Sequence, residues 1–247
     1  MPKSWQIASM YSCVCMDLDG TLLNSAKQIS AANRDAIVKL YASGRKLIIA
    51  TGRHLAETKA ILGQYELDTY VSYIIYADGC CVYDCRSGKN IYTSLLKMCD
   101  VDKIIDVIGH ERFVLINEDR DYEVRCYPIF RMFHRKTAME KAVVYSVSEK
   151  KRRLLDAAGF ILLDTGPSVD VRLSNKSKAL HWLLEDLGFP SEALLYFGDE
   201  FNDKDCFESF DSVVMGNAPM ELKQYSIVAA KTNDEDGVKL ALNDLFD

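Results

Sequence analysis

The stretch CVCMDLDGTLLN, residues 13–24, places two acids directly after a short apolar segment. Cys13 to Met16 have the composition of a buried strand, and Asp17 and Asp19 follow it, separated by one residue. Because an unpaired buried charge is costly, such a strand should not lead into two carboxylates unless they face a polar crevice or a cation. The stretch therefore predicts a strand that ends at a functional edge of a sheet.

Strand-like and helical segments alternate around this stretch. The N-terminal series is a strand at 13–18, a helix at 30–44 with a Ser N-cap and a Gly stop, a strand at 46–51, a helix at 55–65 and a strand at 71–77. The C-terminal series is a helix at 176–188, a strand at 193–199, a helix at 202–210, a strand at 211–216 and a helix at 237–246. Strands that alternate with helices predict a parallel sheet with crossover connections.

The middle of the chain has a different pattern. Residues 80–96 have the turn signal of a hairpin, and helix candidates at 101–110 and 149–158 then mix with short strands and the basic-aromatic stretch FRMFHRK. We therefore predict an α/β fold. A Rossmann-like parallel-sheet core, residues 1–94 and 173–247, is interrupted by an inserted α+β domain, residues 95–172.

Composition argues against several classes of protein. No apolar run reaches the roughly 18 residues of a membrane-spanning helix, and the N-terminal segment lacks the apolar centre of a signal peptide. We therefore expect a cytoplasmic protein. The formal net charge of -6 argues against a general nucleic-acid binder. The eight Cys form no Cys-x-x-Cys pair and only four His are present, so we expect reduced thiols in the core, not a zinc site.

Polar groups follow several of the predicted parallel strands. They are Asp17 and Asp19, Thr51 with Gly52 and Arg53, Asp78 with Gly79, and residues 198–203. Ligands of open parallel sheets bind at the carboxyl ends of the strands, so these groups should share one crevice. Oxygen ligands from Asp17, Asp199 and Asp203 would suit Mg²⁺, because acids clustered without a cation raise one another's pKa.

A phosphate group would fit the same crevice. Thr51 and Gly52, predicted to begin a helix, could offer a hydroxyl and backbone N–H groups to a phosphate oxygen, and Lys176 could supply positive charge. Each motif alone also has a structural interpretation as a turn or a helix cap. A calcium loop is excluded, because Gly20 falls at loop position four and Gln28 at position twelve. The coincidence of the motifs at strand ends favours a site.

Together these motifs resemble the haloacid dehalogenase-like hydrolase superfamily, and within it the Cof-type phosphatases with a large inserted cap of the C2 type. DLDGTL at 17–22 is similar to the first family motif, Thr51 to the second, Lys176 to the third and GDEFND at 198–203 to the fourth. VVMGNAP and TNDEDGV resemble the C-terminal signatures. The resemblance covers residues 13–94 and 173–247.

The resemblance implies a role for each matched residue. Asp17 would be the nucleophile that forms an aspartyl phosphate, and Asp19 the general acid and then the base. Asp17, the backbone carbonyl of Asp19 and Asp199 would hold Mg²⁺, with Asp203 a direct or an outer ligand. The groups that would bind the phosphoryl oxygens are Thr51, Gly52, Asn202 and Lys176. Asp19 favours phosphoryl transfer, because dehalogenating relatives lack this second acid.

Two departures from the family pattern leave alternatives open. Asp78 stands where Cof-type relatives usually have Asn, and it either alters the substrate contacts or is a solvated turn residue. The segment before the third motif is short, so Lys178 is an alternative to Lys176. The inserted domain would be the cap that closes over the crevice and selects the substrate. Its basic residues would either meet a second anionic group or form a solvated face; they are Arg131, His134, Arg135 and Lys136.

The predicted function is a Mg²⁺-dependent phosphatase of small phosphorylated metabolites, with sugar phosphates favoured. One alternative is a sugar phosphomutase, since capped relatives use the same motifs to return the phosphoryl group to a sugar. Another is a phosphosugar-binding regulatory protein without catalysis. The intact acids and Lys176 argue against the latter, because a pure binder has no use for Asp19.

Overall fold

The computed structural model describes residues 10–109 and 111–246. His110, where one predicted helix ends, and residues 1–9, to which the signal-peptide prediction applies, lie outside the described residues. The chain divides into two compact units, which we call the core unit, residues 1–92 and 176–247, and the inserted unit, residues 93–175. No helix within the described residues has the length and apolar composition needed to span a bilayer.

The predicted alternation is present in the core unit. The strands of the chain are β1 (Cys13–Met16), β2 (Lys46–Ala50), β3 (Val71–Tyr76), β4 (Cys81–Asp84), β5 (Lys89–Thr93), β6 (Phe113–Ile116), β7 (Asp121–Glu123), β8 (Lys141–Tyr145), β9 (Ile161–Asp164), β10 (Ser168–Arg172), β11 (Leu194–Gly198) and β12 (Asp211–Val214). The helices are α1 (Ala31–Ala42), α2 (Leu55–Gln64), α3 (Met98–Ile108), α4 (Tyr127–Phe133), α5 (Glu149–Ala157), α6 (Lys176–Leu187), α7 (Lys204–Ser209) and α8 (Gly237–Phe246).

The core sheet has the strand order β12-β11-β1-β2-β3-β4-β5. The five strands from β12 to β3 pair in parallel, and β4 pairs antiparallel with β3 as the first strand of the predicted hairpin. β1 is buried along its whole length, as its apolar sequence predicts. Ser30 caps α1 by accepting a hydrogen bond from the backbone N–H of Asn33. The predicted α/β fold class is confirmed.

The inserted unit has a sheet of its own, with the order β7-β6-β8-β10-β9. Its strand pairs are antiparallel. Alternate residues such as Ala142, Val144, Val169 and Val171 belong to one apolar cluster with the buried side chains of α3 and α5. The unit is therefore α+β, with its own hydrophobic core.

The cysteines are free thiols, as predicted. Those that are buried are Cys13, Cys15, Cys80, Cys81 and Cys206. Cys13, Cys15 and Cys206 belong to the apolar cluster of the core unit. Cys99 and Cys126 in the inserted unit are exposed, so the expectation of core thiols does not extend to them.

Candidate active site

The ends of four neighbouring parallel strands bring the predicted groups to one edge of the core sheet. Asp17 follows β1, Thr51 follows β2, Asp78 lies just after β3, and Asp199 follows β11. The ladder continues to these positions, because Asp17 donates its backbone N–H to the Phe197 carbonyl and Thr51 donates its own to the Ile75 carbonyl, both at 2.9 Å. The sheet therefore fixes the backbone positions of these residues at its edge.

Three buried carboxylates meet at this edge. Each of Asp17, Asp199 and Asp203 offers an oxygen, and the three oxygens lie within 4.8 Å of one another. The ammonium group of Lys176 donates to Asp17 Oδ1 and to Asp203 Oδ1, both at 2.7 Å, and its side chain is 1% exposed. Lys178 is exposed on α6. The geometry therefore favours Lys176 over Lys178 as the lysine of the site.

The cluster shifts the proton affinities of its members. Burial raises the pKa of Asp17 well above its usual value, although Lys176 opposes the shift. Burial alone would lower the pKa of Lys176, but Asp17 and Asp203 raise it well above its usual value. Burial also raises the pKa of Asp199 to about 7, against the opposing hydrogen bond from Thr21. Because three acids lie near only one lysine, the site favours the binding of a proton or a cation.

Asp199 is held by two residues that the sequence interpretation did not single out. Thr21 Oγ1 donates to Asp199 Oδ1 at 3.0 Å, and Asn217 Nδ2 donates to Asp199 Oδ2 at 3.0 Å and to the Gly20 carbonyl at 2.8 Å. Gly20 has a φ of +79°, and a Cβ on it would lie 2.1 Å from Asp199 Oδ2. Thr21 and Asn217 lie within motifs already noted, DLDGTL and VVMGNAP, but their direction in space was not predictable.

Asp203 is saturated with hydrogen bonds. Its Oδ1 accepts from Lys176 at 2.7 Å and from Tyr196 Oη at 2.6 Å, and its Oδ2 accepts from the backbone N–H groups of Asp199 and Glu200 at 3.0 and 3.2 Å. With two donors on each oxygen, Asp203 is better suited to orienting its neighbours than to direct coordination of a metal.

Asp19 lies in a different environment from Asp17. Arg53 forms a two-pronged pair with it, Nε to Oδ2 at 2.6 Å and Nη2 to Oδ1 at 2.8 Å, and Lys27 Nζ donates to Oδ1 at 2.7 Å. The hydrogen bonds from Arg53, followed by those from Lys27, lower the pKa of Asp19 to about 2. Its side chain is thus a carboxylate at neutral pH. Arg53 was predicted only as one of the polar groups that follow the second strand, and Lys27 was not predicted at all.

The helix predicted at 55–65 is present, but the expectation that Thr51 and Gly52 stand at its start is wrong. α2 begins at Leu55, after His54 as N-cap. Residues 51–54 are instead tied to the turn after β3, because the Thr51 and Arg53 carbonyls accept the N–H groups of Asp78 and Ala77, both at 3.0 Å. Thr51 is buried and its Oγ1 accepts the Arg53 N–H at 3.2 Å, while Gly52 is exposed. Both still lie at the sheet edge.

Two further predicted residues lie beside this edge. Asn202 is half-buried in the turn Phe201–Asp203, and its Oδ1 makes no hydrogen bond to any part of the chain that the structure describes. Asp78 is half-buried and has a left-handed backbone, φ 52°. A Cβ on Gly52 would lie 2.9 Å from Asp78 Oδ1, and the charge of Asp78 contributes to the raised pKa of Lys176. Asp78 is therefore closer to a site residue than to a solvated turn residue.

A family model described as haloacid dehalogenase-like hydrolase matches residues 14–157 and 171–242. The chain belongs to this family. The match confirms the family that the four motifs resemble.

Individual members of the family match almost the whole chain. A 5-amino-6-(5-phospho-D-ribitylamino)uracil phosphatase of Bacillus subtilis is 26% identical over 294 aligned residues, covering 95% of this chain and 98% of its own. A phosphatase of the superfamily from Bacteroides thetaiotaomicron has the same fold, with a TM-score of 0.79 and 22% identity over 99% of this chain and 97% of its own. A subclass IIB sugar phosphatase has a TM-score of 0.70 and 19% identity over 94% and 98%. The predicted enzyme class, a phosphoric monoester hydrolase, is confirmed.

The acidic cluster of this hydrolase fits a hard divalent cation. The possible ligands are carboxylate oxygens only, they are buried, and the three acids outnumber the one lysine, Lys176, that pairs with Asp17 and Asp203. Such ligands suit Mg²⁺, which retains water molecules and binds together with phosphate. Asp17 and Asp199 are the residues that would hold it, since each oxygen of Asp203 already accepts two hydrogen bonds, whereas each oxygen of Asp199 accepts one.

Proposed function

We propose that this hydrolase is a Mg²⁺-dependent phosphatase of small phosphorylated metabolites, with sugar phosphates as the first class to test. The observation that carries the proposal is the position of Asp17, at the end of β1 with Lys176 Nζ 2.7 Å from one of its oxygens. The related sugar phosphatase and the related ribitylaminouracil-phosphate phosphatase support the substrate class.

Asp17 is the proposed nucleophile. One of its carboxylate oxygens attacks phosphorus, the bond from phosphorus to the alcohol oxygen breaks, and an aspartyl phosphate remains. Lys176 stabilises the carboxylate form of Asp17 and offers positive charge beside the transferring group. A bound divalent cation would add charge neutralisation for Asp17, Asp199 and the phosphoryl oxygens.

Asp19 is the proposed proton carrier. As a carboxylate it can accept a proton from the water that hydrolyses the aspartyl phosphate. Before it can protonate the leaving alcohol, Asp19 must take up a proton from solvent, and for this Arg53 and Lys27 must release the oxygens that they contact. We propose that substrate entry loosens these ion pairs, so that Asp19 can be protonated and can then protonate the leaving alcohol.

The remaining sequence predictions belong to this proposal. The domain limits 1–94 with 173–247 and 95–172, and the role of the inserted domain as a cap that selects the substrate, stay predictions. Thr51, Gly52 and Asn202 are the proposed phosphoryl-binding partners of Lys176. The cytoplasmic location also stays a prediction. One of the basic residues of the inserted unit, Arg131, already pairs with Asp102 through two contacts of 2.7 Å.

The test is phosphate release by the purified full chain with Mg²⁺, across sugar phosphates, nucleotides, phosphorylated cofactors and p-nitrophenyl phosphate. We expect activity that EDTA abolishes and added Mg²⁺ restores. Asp17→Asn should remove it, whereas Asp186→Asn, an exposed acid on α6 of the same unit, should not.

Two results would contradict the proposal. One is an Asp17→Asn variant with near-wild-type turnover, which would remove Asp17 as the nucleophile. The other is a folded wild-type protein that releases no phosphate from any compound, which would favour the mutase or the binding protein. Conversion of a sugar 1-phosphate into its isomer, measured in the same samples, separates those two.

A further inference from the structure

We propose that Tyr196 is a positioning residue of this site, whose hydroxyl fixes Asp203 and thereby keeps the ammonium group of Lys176 beside Asp17. The inference rests on the proposed function, in which Lys176 and Asp17 act on the phosphoryl group. Tyr196 lies in β11, is fully buried and donates to Asp203 Oδ1 at 2.6 Å. Lys176 donates to the same oxygen at 2.7 Å.

The hydroxyl matters because Lys176 is shared between two acids. Its Nζ lies 2.7 Å from Asp17 Oδ1 and 2.7 Å from Asp203 Oδ1. A hydrogen bond from Tyr196 withdraws negative charge from Asp203 Oδ1, and so weakens the pull of Asp203 on the ammonium group. Without that hydrogen bond, Lys176 would move toward Asp203 and away from the nucleophile.

The tyrosine ring is closely packed in this position. It packs edge-on against Phe207, with ring centroids 5.8 Å apart. A Cβ on Gly198 would lie 2.9 Å from Tyr196 Cε1 and 2.6 Å from Asp203 Oδ2. The ring and the carboxylate therefore both lie against Gly198, where no larger residue fits. A phenylalanine at position 196 would keep this packing and remove only the hydroxyl.

A purely structural role for the hydroxyl predicts a different result, and the chain offers a matched control. Tyr11 is also buried and donates to a carboxylate, Asp211 Oδ2, at 2.8 Å. It lies before β1, and Asp211 begins β12, so this pair is at the opposite end of the parallel strands from the site. Removal of either hydroxyl loses the same kind of hydrogen bond, but only Tyr196 contacts the group that orients Lys176.

The experiment compares Tyr196→Phe and Tyr11→Phe with the wild-type full chain, using p-nitrophenyl phosphate at saturating Mg²⁺ and thermal unfolding. We expect similar falls in melting temperature for the two variants. We expect kcat to fall about tenfold for Tyr196→Phe alone, with KM changed less than about threefold, since small displacements of a catalytic group cost activity more than binding.

Two outcomes would overturn the positioning role of Tyr196, and a third would overturn the proposed function. A kcat for Tyr196→Phe equal to that of Tyr11→Phe, in an active enzyme, would overturn the positioning role and leave the phosphatase intact. A fall in kcat that merely follows a larger loss of folded protein, measured by circular dichroism at the assay temperature, would also overturn it. A folded wild-type chain without activity would overturn the proposed function itself, and this inference with it.

Discussion

The core unit and the inserted unit each bury a charged cluster, but they balance the charge differently. In the inserted unit, Asp170 is buried and contacts two cations, Lys141 Nζ at 2.7 Å and Arg172 Nη2 at 2.6 Å. In the core unit, Asp17, Asp199 and Asp203 come together, and Lys176 pairs with Asp17 and Asp203. In the inserted unit, one buried acid contacts two cations of the protein. In the core unit, three buried acids outnumber the one lysine beside them.

This difference in charge balance indicates a structural role for the cluster of the inserted unit and a functional role for the cluster of the core unit. A buried carboxylate with its own cations is satisfied within the protein and has no need of a ligand. A group of carboxylates in excess of its cations is costly unless something else supplies positive charge, and such arrangements concentrate at functional sites. We therefore expect changes in the core cluster to affect catalysis and metal binding, and changes in the inserted cluster to affect stability.

The largest effect should come from the lysine of the core cluster. Lys176→Met removes the cation from Asp17 and Asp203, and we expect kcat to fall on the order of a thousandfold, because the charge beside the phosphoryl group is lost. Lys178→Met, two positions along the same helix but exposed, should keep near-wild-type kcat. Phosphate release per folded molecule measures both. A loss confined to Lys178→Met would reverse the assignment of the lysine.

The opposite result is expected in the inserted unit. Asp170→Asn leaves Arg172 and Lys141 with less negative charge in a buried place, and should lower the free energy of unfolding by about 3 kcal/mol. Asp164→Asn is the control, since this acid is exposed and its pair with Arg152 should contribute less than about 1 kcal/mol. Urea unfolding gives both values. Equal stabilities for the two variants would show that the inserted cluster is not structural.

A third prediction concerns protons and Mg²⁺ in the core cluster. Because burial raises the pKa of Asp199 to about 7, the metal-free site holds a proton below that pH. Mg²⁺ must displace the proton, so its affinity should rise about tenfold per pH unit up to roughly pH 7 and level off above it. Calorimetric titration in buffers of different ionisation enthalpy would count the released proton. An affinity that stays constant from about pH 6 to about pH 8 would contradict the raised pKa.

The positions of Asp17, Thr51 and Asp199 could be predicted because sheet topology alone places strand ends together. The partners of these residues could not, because they depend on side-chain directions. Tyr196 lies in a buried strand among mainly apolar residues, and nothing in the sequence shows that its hydroxyl donates a hydrogen bond to Asp203. The start of α2 at Leu55 agrees with the sequence pattern, but Thr51 and Gly52 were wrongly placed at it, since the contacts of residues 51 and 53 with the turn after β3 depend on the fold.

The smallest predicted effect concerns the pKa of Asp19. Asp19 is about one-third exposed, and Lys27 is one of the two cations that lower its pKa. Lys27→Met should therefore raise that pKa, but only slightly, because solvent screens the pair and Arg53 keeps its two contacts. The pKa of Asp19, read from the chemical shift of its labelled carboxyl carbon, should thus rise by roughly a few tenths of a unit.

The control is Lys39→Met, an exposed lysine on α1, which should leave the pKa of Asp19 unchanged. A fall in that pKa in Lys27→Met would mean that Lys27 does not stabilise the carboxylate form of Asp19. The contrast between the two acids, a low pKa for Asp19 and a raised one for Asp17, would then rest on Arg53 and burial alone.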